Sequence, residues 1–175
     1  MDSNDHSAIV NVINLYPIAV DSHRYELFDR IFTEDIHCDF GGGAAFTDRA
    51  TLKAVFNDIH AGFAATQHIT SGHAIVLNGD RANCLSYVHG FFRRKLDDGE
   101  GVFQSNGWYD DELIRTSDGW RISYRISRMV SYGGDIRVMQ AMPGVDTNYV
   151  LSALFEEADA GQSKFLQALE PAGNR

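Results

Sequence analysis

Apolar residues recur at helical spacing in the first third of the chain and alternate in the middle of it. Ile9, Val12, Ile13, Leu15, Ile18 and Val20 form one stripe, which predicts a helix over 4–20 with Asp5 or Ser7 as its N-cap. Pro17 removes a backbone donor and crowds the preceding turn, so a kink at Tyr16 or a restart is expected there. Leu27, Phe28, Ile31 and Phe32 predict a second helical segment from Tyr25 to Phe32, and Asp35 to Phe40 reads as a short strand. Gly41-Gly42-Gly43 then breaks it; without the Walker spacing and its Lys-Ser/Thr this is a bend rather than a phosphate loop. Leu52, Val55, Phe56 and Ile59 predict a helix over Thr47–Phe63, capped by Asp48.

From there the period changes to two. His68–Leu77, Arg81–Lys95, Gly101–Thr116 and Trp120–Tyr132 read as strands, joined by the short turns Asn78-Gly79-Asp80, Leu96–Glu100 and Ser117-Asp118-Gly119. Helices followed by a long antiparallel meander define an α+β order. The expected architecture is a cone-shaped α+β barrel, its N-terminal helices packed on a curled antiparallel sheet that encloses a pocket. Residues 1–175 read as a single domain with a core over 7–132. Residues 133–175 form a C-terminal extension containing a helix from about Thr147 to Ala160.

Composition narrows the class. Hydrophobic residues at 44% and charged residues at 22% are ordinary for a globular chain. The net charge of −9 argues against a nucleic-acid surface and against an anionic membrane. Cys38 and Cys84 lie in strand-like apolar runs and read as buried free thiols. Met1–His6 has no basic segment leading into an apolar one, and no apolar run reaches the ~18–20 residues of a membrane span; a cytoplasmic location is the expectation. His-x-x-x-His, Cys-x-x-Cys and carboxylate clusters at ligand spacing are missing, so neither a metal nor an organic cofactor is expected.

Several elements together carry a resemblance: Tyr16 with Asp21 five residues on, Phe28…Phe32-Thr33-Glu34-Asp35 leading into a strand, His68 opening the long sheet, and Asp118-Gly119-Trp120-Arg121-Ile122 at the last strand. In that order and spacing the chain resembles the SnoaL-like branch of the nuclear transport factor 2-like superfamily. Its dehydratase-type members include scytalone dehydratase, hexachlorocyclohexane dehydrochlorinase and bile-acid 7α-dehydratase. The resemblance implies a carboxylate–histidine dyad at Asp21 and His68, a tyrosine at Tyr16, and a pocket arginine at Arg125, or at Arg128 in the bile-acid type. Pro17 and the long tail beyond residue 135 depart from that pattern.

The chemistry suits elimination. A histidine takes an acidic C–H near working pH, and a carboxylate on its other ring nitrogen fixes the tautomer and stabilises the imidazolium. Asp21 as a solvated helix end and His68 as a packed strand residue are the plainer readings. On a regular strand His73, five residues on, faces away from His68. His89 and Asn106 are candidates to hydrogen-bond substrate or to face outward, and Phe40, Phe91, Trp108 and Tyr109 to line an apolar cavity or simply to fill the core. On the last strand Arg121, Ser123, Arg125 and Ser127 share one face, Trp120, Ile122, Tyr124 and Ile126 the other.

The expected function is a cofactor-independent lyase, a dehydratase or a related isomerase or polyketide cyclase, acting on a small hydrophobic cyclic molecule by His–Asp general-base catalysis. The alternatives are a non-catalytic β-subunit of a ring-hydroxylating dioxygenase and a small-ligand-binding protein of the same fold. An apolar convex sheet face implies a homodimer or homotrimer.

Overall fold

The computed structural model describes residues 3–142 and 146–170. The expected single unit therefore includes residues outside the described ones: 1–2, 143–145 and 171–175, the last two groups within the C-terminal extension.

Helix α1, Ser3–Asp21, runs unbroken through Pro17 and buries Ile9, Val12, Ile13, Tyr16, Ala19 and Val20. It ends in a Schellman motif: Arg24 N–H donates to the Ala19 carbonyl, His23 N–H to the Val20 carbonyl, and His23 takes φ +55°. The expected helix over Tyr25–Phe32 is instead a 3₁₀ turn, Tyr25–Leu27, and the single turn α2, Phe28–Ile31. Phe32 already belongs to strand β1, Phe32–Asp39. The triple glycine makes the expected bend, closed by Phe40 N–H to the Ala44 carbonyl, and leads into the short β2, Ala45–Phe46. Helix α3, Arg49–His60, is capped by Asp48, whose Oδ1 accepts from Thr51 N–H at 2.7 Å.

The long strands are β3 (Ala65–Asn78), β4 (Arg81–Leu96), β5 (Gly99–Thr116) and β6 (Gly119–Gly134). They pair as the antiparallel meander the turns predict. The sheet as a whole has the order β2-β1-β6-β5-β4-β3, and β1 joins β6 in parallel, so it is mixed rather than purely antiparallel. No hairpin links β1 to β6; their direction is set by the helices that precede β1, which leaves the parallel option open. The two edge strands do not pair with one another, so the curled sheet stays open and the helices cover its concave face.

Bulges redistribute the inner and outer residues. In β3, Ser71 pairs with Tyr87 and Ala74 with Leu85, so one extra residue enters at Gly72, which takes φ +64°. In β6, extra residues fall at Ser123 and at Val130. The bulge at Ser123 reverses the alternation, so Trp120, Ile122 and Arg125 are all buried, against the expectation that Trp120 and Arg125 face opposite ways.

After β6 come α4 (Arg137–Gln140), α5 (Leu154–Asp159) and α6 (Lys164–Leu169). The helix expected over 147–160 is thus confined to its second half. The segment before it runs extended, with Leu151 bridging Met129 and Ser152 N–H donating to the Met129 carbonyl at 2.9 Å. Helix α6 lies on the outer sheet face, where Phe165 packs on Leu85 and Trp108.

Gly107 lies where β5 meets the β6 bulge, and a Cβ there would collide with the Arg128 carbonyl oxygen. Gly107→Ala should therefore lower stability by about 2 kcal/mol, as overpacking against backbone does. Gly133→Ala, where a Cβ meets nothing within 4 Å, should be close to neutral; urea denaturation of both variants checks the pair.

Candidate active site

Asp21 is the last residue of α1, held there by the Schellman motif. The negative end of the helix dipole disfavours a carboxylate at this position. Three donors from β3 offset that cost. Thr66 Oγ1 donates to Asp21 Oδ1 at 2.9 Å, the His68 backbone N–H donates to Oδ2 at 2.7 Å, and His68 Nδ1 meets Oδ1 at 2.7 Å. Burial opposes ionisation of Asp21, yet the bonds from the His68 ring and backbone and from Thr66 outweigh it and hold the carboxyl below its ordinary value. A carboxylate at Nδ1 makes that nitrogen the donor and leaves the Nε2 lone pair free. The ring packs edge-on against Phe92 at 5.2 Å and lines the cavity.

That cavity, about 430 Å³ and mostly apolar, lies between the concave sheet and helices α1 and α3. This is within the range of small-molecule sites. Tyr16 and Tyr109 both reach it, with their rings edge-to-face at 5.7 Å. Burial pushes the Tyr109 phenol up to about 12 and the Tyr16 phenol well above its ordinary value, so both stay protonated, and Tyr16 donates to the Tyr109 phenol. Beneath them lies Arg125, fully buried, bonded through Nε and Nη2 to the equally buried Asp111 at 2.7 Å each. Its guanidinium carbon lies 4.4 Å from the Tyr16 ring centroid and 4.2 Å from that of Tyr109. Arg125 therefore faces the undersides of the two phenols and not the cavity.

The SnoaL-like domain family matches residues 1–126. The chain belongs to the SnoaL-like family. Rv2910c, an uncharacterized protein of Mycobacterium tuberculosis, is 29% identical over 125 residues, covering 70% of this chain and 84% of that protein. Among solved structures, Kfla4162 from Kribbella flavida superimposes with a TM-score of 0.76 at 24% identity, over 81% of this chain and 100% of that one. The type 3 hexachlorocyclohexane dehydrochlorinase LinA of Novosphingobium barchaimii LL02 does so at 0.65 and 15% identity, over 85% and 94%. These two likenesses show a shared nuclear transport factor 2-like fold.

Within this SnoaL-like fold the other expected residues divide. Phe40 lies on the cavity with Tyr16, His68 and Tyr109, whereas Asn106, expected to bind substrate, borders it with its side chain turned to the outer face, because it is the register partner of His89. His89 points to the outer face, where its Nδ1 meets Asn106 Oδ1 at 2.9 Å. Phe91 lies on that outer face too, and Phe92 takes the inner position, because β4 alternates without a bulge. Trp108 is buried under Phe165 of α6 rather than in the cavity, since adjacent residues on β5 cannot both face inward with Tyr109. His73 does turn inward, because the Gly72 bulge reverses β3, but α1 covers it: its ring meets Ser86 Oγ at 2.8 Å and Asn14 Oδ1 at 3.0 Å. Only His68 of the two lines the cavity.

Arg128, the other candidate arginine, reaches the cavity rim. It is bonded to Asp39 Oδ2 at 2.8 Å and to Glu157 of α5 at 3.4 Å. Residues 146 and 148–150 complete that rim. Sequence reasoning missed this strap, for which no periodicity gave a signal, and His60, whose place four residues after Phe56 on the apolar stripe of α3 was a readable one. Among the described residues no three His, Cys, Asp or Glu side chains gather to hold a metal ion.

A carboxyl held below its ordinary value stabilises the fold above the unfolded aspartate pKa, near ~3.9, and loses that contribution as pH falls through the lowered folded value. Asp21→Asn should therefore be less stable than the parent at pH 7 by about 1–2 kcal/mol, with the gap narrowing at pH 3. Urea midpoints at the two pH values check this; an equal gap at both would contradict it.

Proposed function

We propose that the cavity removes a carbon-bound proton from a small hydrophobic ring compound and expels water or halide from the neighbouring carbon, without metal or organic cofactor. The observation that carries this is the 2.7 Å contact between His68 Nδ1 and Asp21 Oδ1 at the wall of an apolar cavity. His68 Nε2 takes the proton, and the C–H electron pair becomes the new double bond as the bond to the leaving group breaks. Asp21 fixes the tautomer and stabilises the imidazolium. Tyr109 donates a hydrogen bond to the departing group, with Tyr16 bonded to the Tyr109 phenol behind it, and the proton on His68 leaves with that group. Arg125 acts through the two phenols and does not touch substrate. Isomerisation and cyclisation are variants of the same proton transfer.

The dehydrochlorinase that shares this fold is named for a reaction of this class. The His–Asp pair ties β3 to α1 in any protein of this fold, but the cavity-lining position of the His68 ring favours catalysis over an assembly subunit or a pure binding protein. A homo-oligomer that covers the exposed Ile69, Tyr87 and Val130 on the outer sheet accompanies the proposal.

Proton abstraction is measurable before the substrate is known. In deuterated buffer the protein should exchange the α-protons of bicyclic ketones such as 1-tetralone, and convert cyclic β-hydroxyketones to absorbing enones. His68→Ala and Asp21→Asn should each lower these rates by about 10²-fold or more while binding the ketone within a few-fold of the parent. Unchanged rates in both variants would end the proposal.

A further inference from the structure

His60 is a buried imidazole for which the reaction above has no use. It closes α3, is only 5% exposed, and lies in an aromatic cluster where phenylalanine would pack as well: Phe56 stacks on it at 5.2 Å, with Phe63 at 5.7 Å and Tyr25 at 6.2 Å. Its ring lines the same cavity as His68. Nδ1 lies 2.8 Å from the Phe56 carbonyl oxygen, one turn back in α3. A carbonyl only accepts, so Nδ1 carries the proton and Nε2 carries a lone pair. Among the described residues nothing donates to Nε2.

We infer that His60 is a specificity-determining residue whose Nε2 accepts a hydrogen bond from a hydroxyl group of the ligand, so that the cavity selects ring compounds bearing a phenol or ring alcohol over those bearing an ether or no oxygen. The inference rests on the cavity's being the ligand site of the proposed reaction. Burial holds the His60 imidazole down at about 4, so it stays neutral and accepting at any ordinary working pH. Tyr25 lies at 6.2 Å and His23 at 6.5 Å, and His68 and Asp21 also act on it electrostatically. An acceptor cannot protonate a departing oxygen. The hydroxyl on His60 is therefore one the substrate keeps, and the leaving group is a second substituent, the one to which Tyr109 donates. The substrate class thus becomes a ring compound with a retained hydroxyl as well as a leaving group.

The test compares 2-naphthol with 2-methoxynaphthalene, a pair that differs in the hydroxyl donor, by calorimetric titration of the intact protein. The parent should bind the naphthol about ten-fold tighter, the worth of one hydrogen bond. His60→Phe, which keeps the ring and removes the acceptor, should bring the two within about two-fold, and His60→Gln, which restores an acceptor oxygen, should recover part of the preference. In the parent, the His60 Nε2 nitrogen resonance should move upfield on adding the naphthol, a reading that needs no variant to fold. No preference in the parent, a preference that survives in His60→Phe, or an unmoved Nε2 signal would each overturn the inference. The two readings fail separately: His68→Ala should lower exchange about 10²-fold yet keep the hydroxyl preference, which a failed exchange assay would leave measurable.

Discussion

The hydrogen bonds that converge on the Asp21 carboxylate tie the end of α1 to the start of β3, and the site is built around that junction. A carboxylate at a helix C-terminus is electrostatically misplaced. It is tolerated because the strand offers two side-chain groups and one backbone N–H, each aimed at one of its oxygens. The backbone bond sets the height of β3 against α1, and the ring bond orients His68. One arrangement therefore both docks an edge strand onto the first helix and gives the imidazole its tautomer.

Deeper in the core a second charged pair supports Tyr16 and Tyr109. Arg125 and Asp111 have no exposed side-chain surface, and a pair so buried repays its desolvation only through close, two-point geometry. Here both bonds are 2.7 Å, and the guanidinium also lies beneath both the Tyr16 and the Tyr109 ring. The faces of the phenols are attracted to the cation, and both residues lie on the cavity. The cavity thus carries His68, His60, Tyr16 and Tyr109 on a mostly apolar lining. The strap from 146 to 150 and the Arg128 bonds to Asp39 and Glu157 make the rim.

The helical stripes of α1 and α3, the glycine-bearing turns of the meander and the N-cap at Asp48 were legible, because each follows from local spacing or local backbone chemistry. Asp21 and His68 were singled out through resemblance, and their contact joins positions 47 residues apart. Where reading by alternation failed, the cause was register. A bulge at Ser123 turned Arg125 inward beside Trp120, and a bulge at Gly72 turned His73 inward under α1. Phe91 and Trp108 were placed on the cavity although regular alternation sends both outward with Phe92 and Tyr109 inside; neither bulge touches them.

The amino-acid sequence by itself determined the α+β order of elements, the family and the residue types available for acid–base work, since these depend on periodicity, turn chemistry and side-chain identity. Only the tertiary structure decided that Arg125 faces the undersides of two phenols while Arg128 reaches the rim, that the sheet is mixed and open, and that His60 shares a cavity with His68. Those outcomes depend on where single extra residues shift the strands and on which distant segments cover which face, and neither is encoded in local spacing.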